Sequence, residues 1–314
     1  MNTPAFSVAI CTCNGEKNIS LAIDAILKLK ENDILLKELL LIDNASKDKT
    51  KEICLSYAEK DSRVKYLYEA EAGLSNARRC AVENAAGDWM IYVDDDNILD
   101  ENWLTELSAA IKAHPEAGIM NGAVLAVEAE PLDADEKTRL SLLYKNLACT
   151  HLTDLNEPAS APSSPFGAGM CIKMEPLRKI LEDGWLSLSG RKGTSLASGE
   201  DTELAAKCLA LGYTFFYNEK MHLEHLIPKA RLSRDYADRL CKGLTEGWYA
   251  NVSASRYYVI GRAARAMKYA CVLITSSLAK HSKDAKKREY ALQRNTKAKT
   301  FLKCVWRDKL FCKN

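Results

Sequence analysis

Long apolar runs are missing from this 314-residue chain: no stretch of about 18 uncharged apolar residues occurs, so no helix is expected to span a membrane. The opening residues, MNTPAFSVAICTCNG, have neither a basic leading segment nor a long apolar one, so a secretory leader is not expected. CxxC pairs are absent as well. The 11 cysteines run from Cys11 to Cys312 and are odd in number, which argues against a zinc ribbon or a disulfide scaffold and for a reducing cytosol. There is no Walker A loop, no GxGxxG and no GxSxG, so NTPase, dinucleotide and serine-hydrolase readings have no motif to rest on.

What is present is enough apolar material for a core. Hydrophobic residues make up 47% and charged residues 27%, and the length suits one large domain or two. The net charge of +2 hides an asymmetry. Residues 251–314 hold 16 Lys and Arg against 3 Asp and Glu, a net of +13, while residues 1–250 hold 28 against 39, a net of −11. A basic tail on an acidic body is an electrostatic handle for something anionic, either lipid headgroups or nucleic acid. Nucleic acid lacks any supporting motif here.

The first 125 residues alternate between strand and helix patterns. Strands are expected at 6–13, 38–43, 63–69 and 88–94, with helices at 18–30, 47–60 and 74–86, which means βαβ units and a largely parallel sheet. Ser46 stands as the natural N-cap of the second helix, with Asp48 in its first turn. A helix at 101–114 and a strand at 118–127 follow. Then come a long insertion at 129–165 with Pro158, Pro162 and Pro165, a strand at 166–174, a polar stretch at 187–199, a helix at 200–211 and a strand at 213–217. Beyond residue 228 the chain reads as helical and increasingly basic, giving a division at 1–227 and 228–314.

Three adjacent carboxylates, Asp94, Asp95 and Asp96, follow the apolar run WMIYV. They repel one another unless a cation or hydrogen-bond donors relieve them. Alternate residues of an extended chain share a face, so Asp94 and Asp96 together suit Mg²⁺ or Mn²⁺ with substrate phosphates. Two other strand ends offer Thr12, Asn14 and Glu16, and Asp43 and Ser46, at the sheet edge where open α/β folds bind ligands. Arg78 opens a helix after Gly73, one strand away from the acidic cluster. Glu200 and Asp201 open another; capping accounts for them, and a general base is the functional alternative. His222 and His225 are either structural or metal ligands, and Cys11 and Cys13 read as packing on a core strand.

The blocks VAICTCNGEKNI, LLIDNASKDKT, GLSNARR, DWMIYVDDDNILDENWL and GEDTELAAK, in this order over residues 5–225, resemble family 2 glycosyltransferases. The resemblance implies a GT-A fold, a mostly parallel sheet flanked by helices, and inverting transfer from a nucleotide-diphosphate sugar, with UDP the commonest donor nucleotide. It implies a Mn²⁺ or Mg²⁺ cofactor. Carried over residue by residue, Thr12, Asn14, Glu16, Asp43, Ser46 and Arg78 would lie by the nucleotide. Asp94 to Asp96 match the DxD-type motif, with Asp96 on the metal, Asp94 on ribose or metal, and His225 a further metal ligand. Glu200 and Asp201 match the acidic block, with Asp201 as base. Cys13 stands where the family usually has an aromatic, and Arg79 where Asn is common.

HLEHLIPKARLSRDY resembles a tail of bacterial members that build surface polysaccharide, so a glycan or lipid-linked acceptor is expected, with a cytoplasmic protein peripheral to the inner membrane face. Apolar residues at Val259, Ile260, Ala263, Ala266, Met267, Ala270 and Cys271 recur at near-helical spacing, as an amphipathic surface on anionic lipid would require. A nucleotidyltransferase would want a glycine- and arginine-rich loop after the first strand, which is not there. A catalytically inactive membrane-surface module would have lost the acidic blocks, and both are intact.

Overall fold

The computed structural model describes residues 4–30, 35–152, 154–155, 162, 164–188, 190–192, 196–253 and 256–307, with the side chains of 252–264 outside the description. Two compact units divide the chain. The first is Met1–Val127, Ala148–Ser189 and Glu200–Ile227; the second is Glu128–Leu147, Gly190–Gly199 and Pro228–Asn314.

The first unit begins with β1 (Ala5–Thr12), α1 (Ile19–Leu27), β2 (Leu35–Asp43), α2 (Thr50–Ala58), β3 (Val64–Tyr68), α3 (Leu74–Asn84) and β4 (Trp89–Val93). Then come β5 (Asn97–Leu99), α4 (Trp103–Ala113) and β6 (Ala117–Glu128); after α5 (Ala134–Leu143), which belongs to the second unit, the first resumes with β7 (Met170–Lys173), α6 (Met174–Glu182), α7 (Glu200–Ala210) and β8 (Thr214–Ile227). All eight strands form one sheet in the order β3-β2-β1-β4-β7-β6-β8-β5. The βαβ units make β3, β2, β1 and β4 parallel, while β7 pairs antiparallel with β4 and β6, and β5 with β8. Burial on both faces explains the unbroken apolar runs: every residue of β4 is buried. One face packs Leu40, Ile42, Met90 and Ile172 against Ala77, Leu177 and Leu204, from α3, α6 and α7.

Several elements differ from expectation. The insertion at 129–165 contains α5, started by a reciprocal cap in which Asp133 accepts from the Glu136 N–H and the Glu136 carboxylate from the Asp133 N–H. Pro158 lies outside the described residues. The stretch at 166–174 becomes only a four-residue strand, and α6 follows at once; Pro176 sits in its first turn, where its missing N–H costs nothing. The strand expected at 213–217 runs on to Ile227. From Met221 onward its residues alternate inward and outward, so Met221, Leu223, His225 and Ile227 share the buried face. Cys11 packs on the core, but Cys13 lies past the end of β1 and is exposed.

The second unit adds α8 (Arg234–Ser253), α9 (Arg256–Ala279) and α10 (Ala285–Arg307) to α5. Its small core centres on Phe301, which stacks on Tyr269 at 4.2 Å and meets Tyr249 edge-on at 5.7 Å. Ala266 packs against this cluster, whereas Met267 and Cys271 are exposed; the apolar face expected from 259 to 271 is therefore split between core and surface. Val259, Ile260 and Ala263 carry side chains outside the description. Residues 196–199 run along α8, where a Cβ on Gly243 would sit 2.0 Å from the Leu196 carbonyl oxygen and one on Gly247 1.6 Å from that of Ser198. Asn251, one turn on, donates from Nδ2 to the Gly199 carbonyl at 3.0 Å. Positions 243, 247 and 251 thus form one stripe of α8 that seats this segment.

In an exposed helix, Gly→Ala stabilises by about 1 kcal/mol. Gly247→Ala is expected to do the opposite and cost about 1–3 kcal/mol, because the new methyl meets backbone that cannot swing away. A lower urea midpoint at unchanged slope is the expected reading.

Candidate active site

The carboxyl ends of β1, β2 and β4 lie side by side because β1 pairs in parallel with both neighbours, Thr12 in register with Asp43 and Ile10 with Val93. Two residues past each of the latter pair stand Thr12 and Asp95, and the Thr12 hydroxyl donates to the Asp95 carboxylate. Gly15 is pressed against this contact; a Cβ there would sit 2.6 Å from Asp95 Oδ2, so a larger residue would have to displace it.

The loops after β1 and β2 are laced to each other. Ser46 Oγ accepts from the Asn14 N–H at 2.9 Å, Asn14 Oδ1 accepts from the Lys47 N–H at 2.8 Å, and Glu16 Oε2 accepts from the Lys49 N–H at 3.1 Å. Asp43 is buried and accepts from the Ser46 N–H and the Tyr66 hydroxyl, both at 2.9 Å. Ser46 is therefore a loop clasp and not the N-cap of α2: that helix starts at Thr50, and Asp48 accepts from the Thr50 N–H at 3.0 Å. Asn14 and Ala45 hold φ near +59° and +58°, a backbone strain that this lacing sustains.

The aspartate triplet is a turn. The extended chain ends at Val93, and the Asn97 N–H donates to the Asp94 carbonyl at 3.0 Å, so the alternation argument does not apply to Asp94 and Asp96. The turn leaves Asp94 and Asp95 half-buried and directs Asp96 inward. There Asp96 accepts from Asn97 Nδ2 at 3.2 Å and lies 3.4 Å from His225 Nε2, placed by the Asn97–His225 register of β5 and β8. His225 Nδ1 is 3.7 Å from Cys149 Sγ. Burial alone would depress the His225 pKa; the Asp96 carboxylate overrides it and raises it to about 10, so the imidazole is a cation at neutral pH. His222, an odd number of residues away on the same strand, points to the other face and pairs with Asp100 at 3.2 Å.

The buried charge at the centre is Arg78. The sequence places it in a helix-opening turn, where an arginine is ordinarily at the surface, yet it is 2% exposed and Glu200 only 4%. Its Nη1 donates to Glu200 Oε1 at 3.3 Å, and its guanidinium lies over the Tyr92 ring, 5.3 Å from the centroid. Burial works against the charge, but Glu200, Asp201 and Asp94 together hold it on. Asp201, next to Glu200 in the first turn of α7, is less buried; its Oδ2 accepts from the Gly167 N–H at 3.2 Å and its Oδ1 from the Thr202 N–H at 2.7 Å. The two acidic residues therefore differ in setting: Glu200 is sealed against Arg78, whereas Asp201 keeps part of its surface in solvent.

A divalent cation is tested by the donors present. Asp94 to Asp96 are hard oxygen ligands at a strand end, and the His225 imidazole stands beside Asp96; a cation would have to displace its proton. Among the described residues no three His, Cys, Asp or Glu side chains converge as a complete set, so substrate phosphates would have to supply the remaining oxygens. The donors fit on that condition. Sequence reasoning passed over Gly167 and Cys149. The FGAG turn before β7 was a usable signal for the first; nothing local marks the second.

The model of Glycosyl transferase family 2 matches residues 7–163, half of the chain, and that of Glycosyl transferase family group 2 matches residues 89–282. The chain is 30% identical over 105 residues to the uncharacterized glycosyltransferase EpsJ of Bacillus subtilis, covering 33% of this chain and 30% of that protein. It is 35% identical over 108 residues to the cholesterol galactosyltransferase of Borreliella burgdorferi, covering 34% and 29%. The chain thus spans under a third of the length of these relatives. The mannosyltransferase PcManGT of Pyrobaculum calidifontis, solved with GDP-Man and Mn²⁺, superposes with a TM-score of 0.59 at 17% identity, over 98% of this chain and 88% of that one. Staphylococcus aureus TarS with UDP-GlcNAc gives 0.51 at 14%, over 98% and 93%. At these identities the likeness is one of fold.

Glu200→Gln is expected to cost about 3–5 kcal/mol by stranding the Arg78 cation, and Arg78→Met with Glu200→Leu to recover much of it, read from urea midpoints. The His225–Asp96 pair raises a cation's pKa. Its stability contribution is therefore complete below pH 6.5, the ordinary histidine value, and is lost as pH climbs through about 10. In metal-free protein, midpoints between pH 7 and 10 should fall in the wild type and flatten in His225→Gln.

Proposed function

Because this chain belongs to glycosyl transferase family 2, we propose that it transfers a sugar from a nucleoside-diphosphate sugar to an acceptor hydroxyl with inversion at the anomeric carbon. The observation that carries this reading is the meeting of Thr12, Asp43 and the Asp94–Asp96 turn at the ends of parallel strands, with Arg78 linking them to the Asp201 turn. Residues 1–227 are the catalytic domain on this reading, and 228–314 an appended basic helical region. The donor in TarS, UDP-GlcNAc, and that in the mannosyltransferase, GDP-Man, support a nucleotide sugar; UDP is the first nucleotide to test.

Asp43 and Thr12 floor the nucleoside end, while Asn14, Glu16 and Ser46 hold the two loops in shape around it. Asp94 and Asp95 face the ribose and diphosphate. Asp94, Asp96 and His225 would hold Mn²⁺ or Mg²⁺, which when bound offsets the charge on the departing diphosphate. Asp201, steadied by the Gly167 and Thr202 amides, takes the proton of the acceptor hydroxyl. That oxygen bonds to the anomeric carbon as the carbon–diphosphate oxygen bond breaks on the opposite side, so a single displacement inverts the centre. Glu200 keeps its own charge for Arg78 and takes no proton. The acceptor is a glycan or lipid-linked hydroxyl.

Calorimetric titration with UDP, GDP, CDP and dTDP, each with and without Mn²⁺, tests the donor half. One diphosphate should bind in a metal-dependent manner, and Asp96→Ala should abolish it. Asp201→Asn should keep that affinity and lower turnover about 10²–10⁴-fold. If no diphosphate binds, the transferase reading fails.

A further inference from the structure

Unit two holds a surface that sugar transfer does not call for. On α9, Met267, Cys271, Ile274 and Leu278 follow one another at intervals of four, three and four residues, so all lie on one line of the helix. All four are exposed: Met267 by 65%, Ile274 by 64% and Leu278 by 76%, with Cys271 between them. The opposite line of α9 holds Ser276, buried against Asn295 of α10. Three large apolar side chains in a row facing outward are not the scattered single residues that any surface carries.

At its C-terminal end this stripe borders a cleft of about 510 Å³ between α9 and α10, lined by Thr275, Leu278, His281, Lys287, Tyr290 and Arg294 among others. Lys287 and Arg294 are seven residues apart on α10 and share a face. Neither has an ion-pair partner among the described residues; Arg294 stacks over the Tyr290 ring, 5.5 Å from its centroid. The nearest acidic residues in sequence are committed elsewhere. Asp284 accepts from the Lys287 N–H at 2.9 Å as the cap of α10, and buried Glu289 pairs with Arg234 at 3.1 Å and Arg139 at 3.9 Å. Lys280, Lys283 and Lys286 surround the opening in sequence, within the segment whose net charge is +13. An apolar line that runs into a largely apolar cleft, with Lys287 and Arg294 as the cations of its wall, matches a molecule with an acyl chain at one end and a phosphate at the other.

We propose that the cleft between α9 and α10 takes the phosphate headgroup of an anionic membrane lipid while Met267, Ile274 and Leu278 enter the acyl boundary. The site is separate from the sugar-transfer reading and does not rest on it. It also differs from the apolar face read from the sequence, because Ala266 belongs to the core and the stripe continues instead to Ile274 and Leu278. A second copy of the chain could satisfy the apolar line, but two copies would bring like charges together at the cleft, which favours the lipid.

The test is co-sedimentation of the full chain with vesicles of phosphatidylcholine alone and of phosphatidylcholine with about one-third phosphatidylglycerol, at low and high salt. Binding to the anionic vesicles only, weakened by salt, is expected. Lys287→Gln with Arg294→Gln should lower the partition about 30-fold, the ratio that follows from about 1 kcal/mol per removed charge. Leu278→Asp and Ile274→Asp, both at exposed positions, should each lower it while leaving the thermal unfolding midpoint unchanged. Equal binding to neutral vesicles, or binding indifferent to both sets of variants, overturns the proposal. So does saturation by inorganic phosphate or glycerol phosphate without vesicle binding, which would make it a soluble-anion site. A two-chain mass by light scattering that Leu278→Asp reduces to one chain, with no vesicle binding, would assign the stripe to self-association instead.

Discussion

A guanidinium with almost no access to water sets the terms for the first unit. Arg78 lies in the second turn of α3, Glu200 opens α7, and 122 residues separate them in the chain, yet their ion pair is sealed from solvent. Moving either charge out of water costs several kcal/mol, so neither can be buried without the other. The pair therefore obliges α3 and the N-terminus of α7 to arrive together beside β4. Asp94 and Asp201 gather around the same cation, and the Tyr92 ring lies beneath it. The two helices are tied to a single separation, and a carboxylate proposed as a base is placed by its neighbour in sequence.

The loops after β1 and β2 are held by hydrogen bonds to backbone N–H groups and not by ion pairs. Parallel pairing puts the ends of β1, β2 and β4 in one row, and the loops beyond them satisfy each other's N–H groups with Asn14, Glu16, Asp43 and Ser46. A loop already fixed by such bonds costs little further entropy when a ligand arrives, which is the benefit of preorganisation. The same economy recurs in the second unit, where Gly243 and Gly247 omit side chains so that residues 196–199 can lie against α8, the segment that runs directly into Glu200 and Asp201.

Charge is divided between the halves of the chain in a way that composition conceals. The acidic excess of residues 1–250 includes the aspartates at the strand ends, whose repulsion is relieved by Thr12, Asn97 and His225. The basic excess of residues 251–314 is distributed along α9 and α10, whose only acidic residue is Glu289. An overall charge near zero therefore says little about either surface.

Much of this architecture was legible in one dimension. The alternation of apolar runs with helical periods determined the βαβ order and the parallel strands. It also determined which loops carry Thr12, Asp43 and Asp94, because strand direction in a parallel sheet follows from the crossovers. The acidic blocks and their helix-opening positions were equally plain. What the chain order did not contain was orientation. Whether Arg78 points to solvent or inward depends on Glu200, 122 positions away, and the exposure of Asp201 on a loop 34 positions away, while Asp94 and Asp96 stand in a turn that the apolar run before them does not announce. The length of β8 was hidden for a related reason: Asn218, Glu219 and Lys220 interrupt its apolar run, and the strand continues through them to pair with β5. Local sequence determines periodicity, since periodicity is a property of the backbone. Partners for buried charges come only from packing, since the cost of desolvating a group is decided by whatever the fold brings against it.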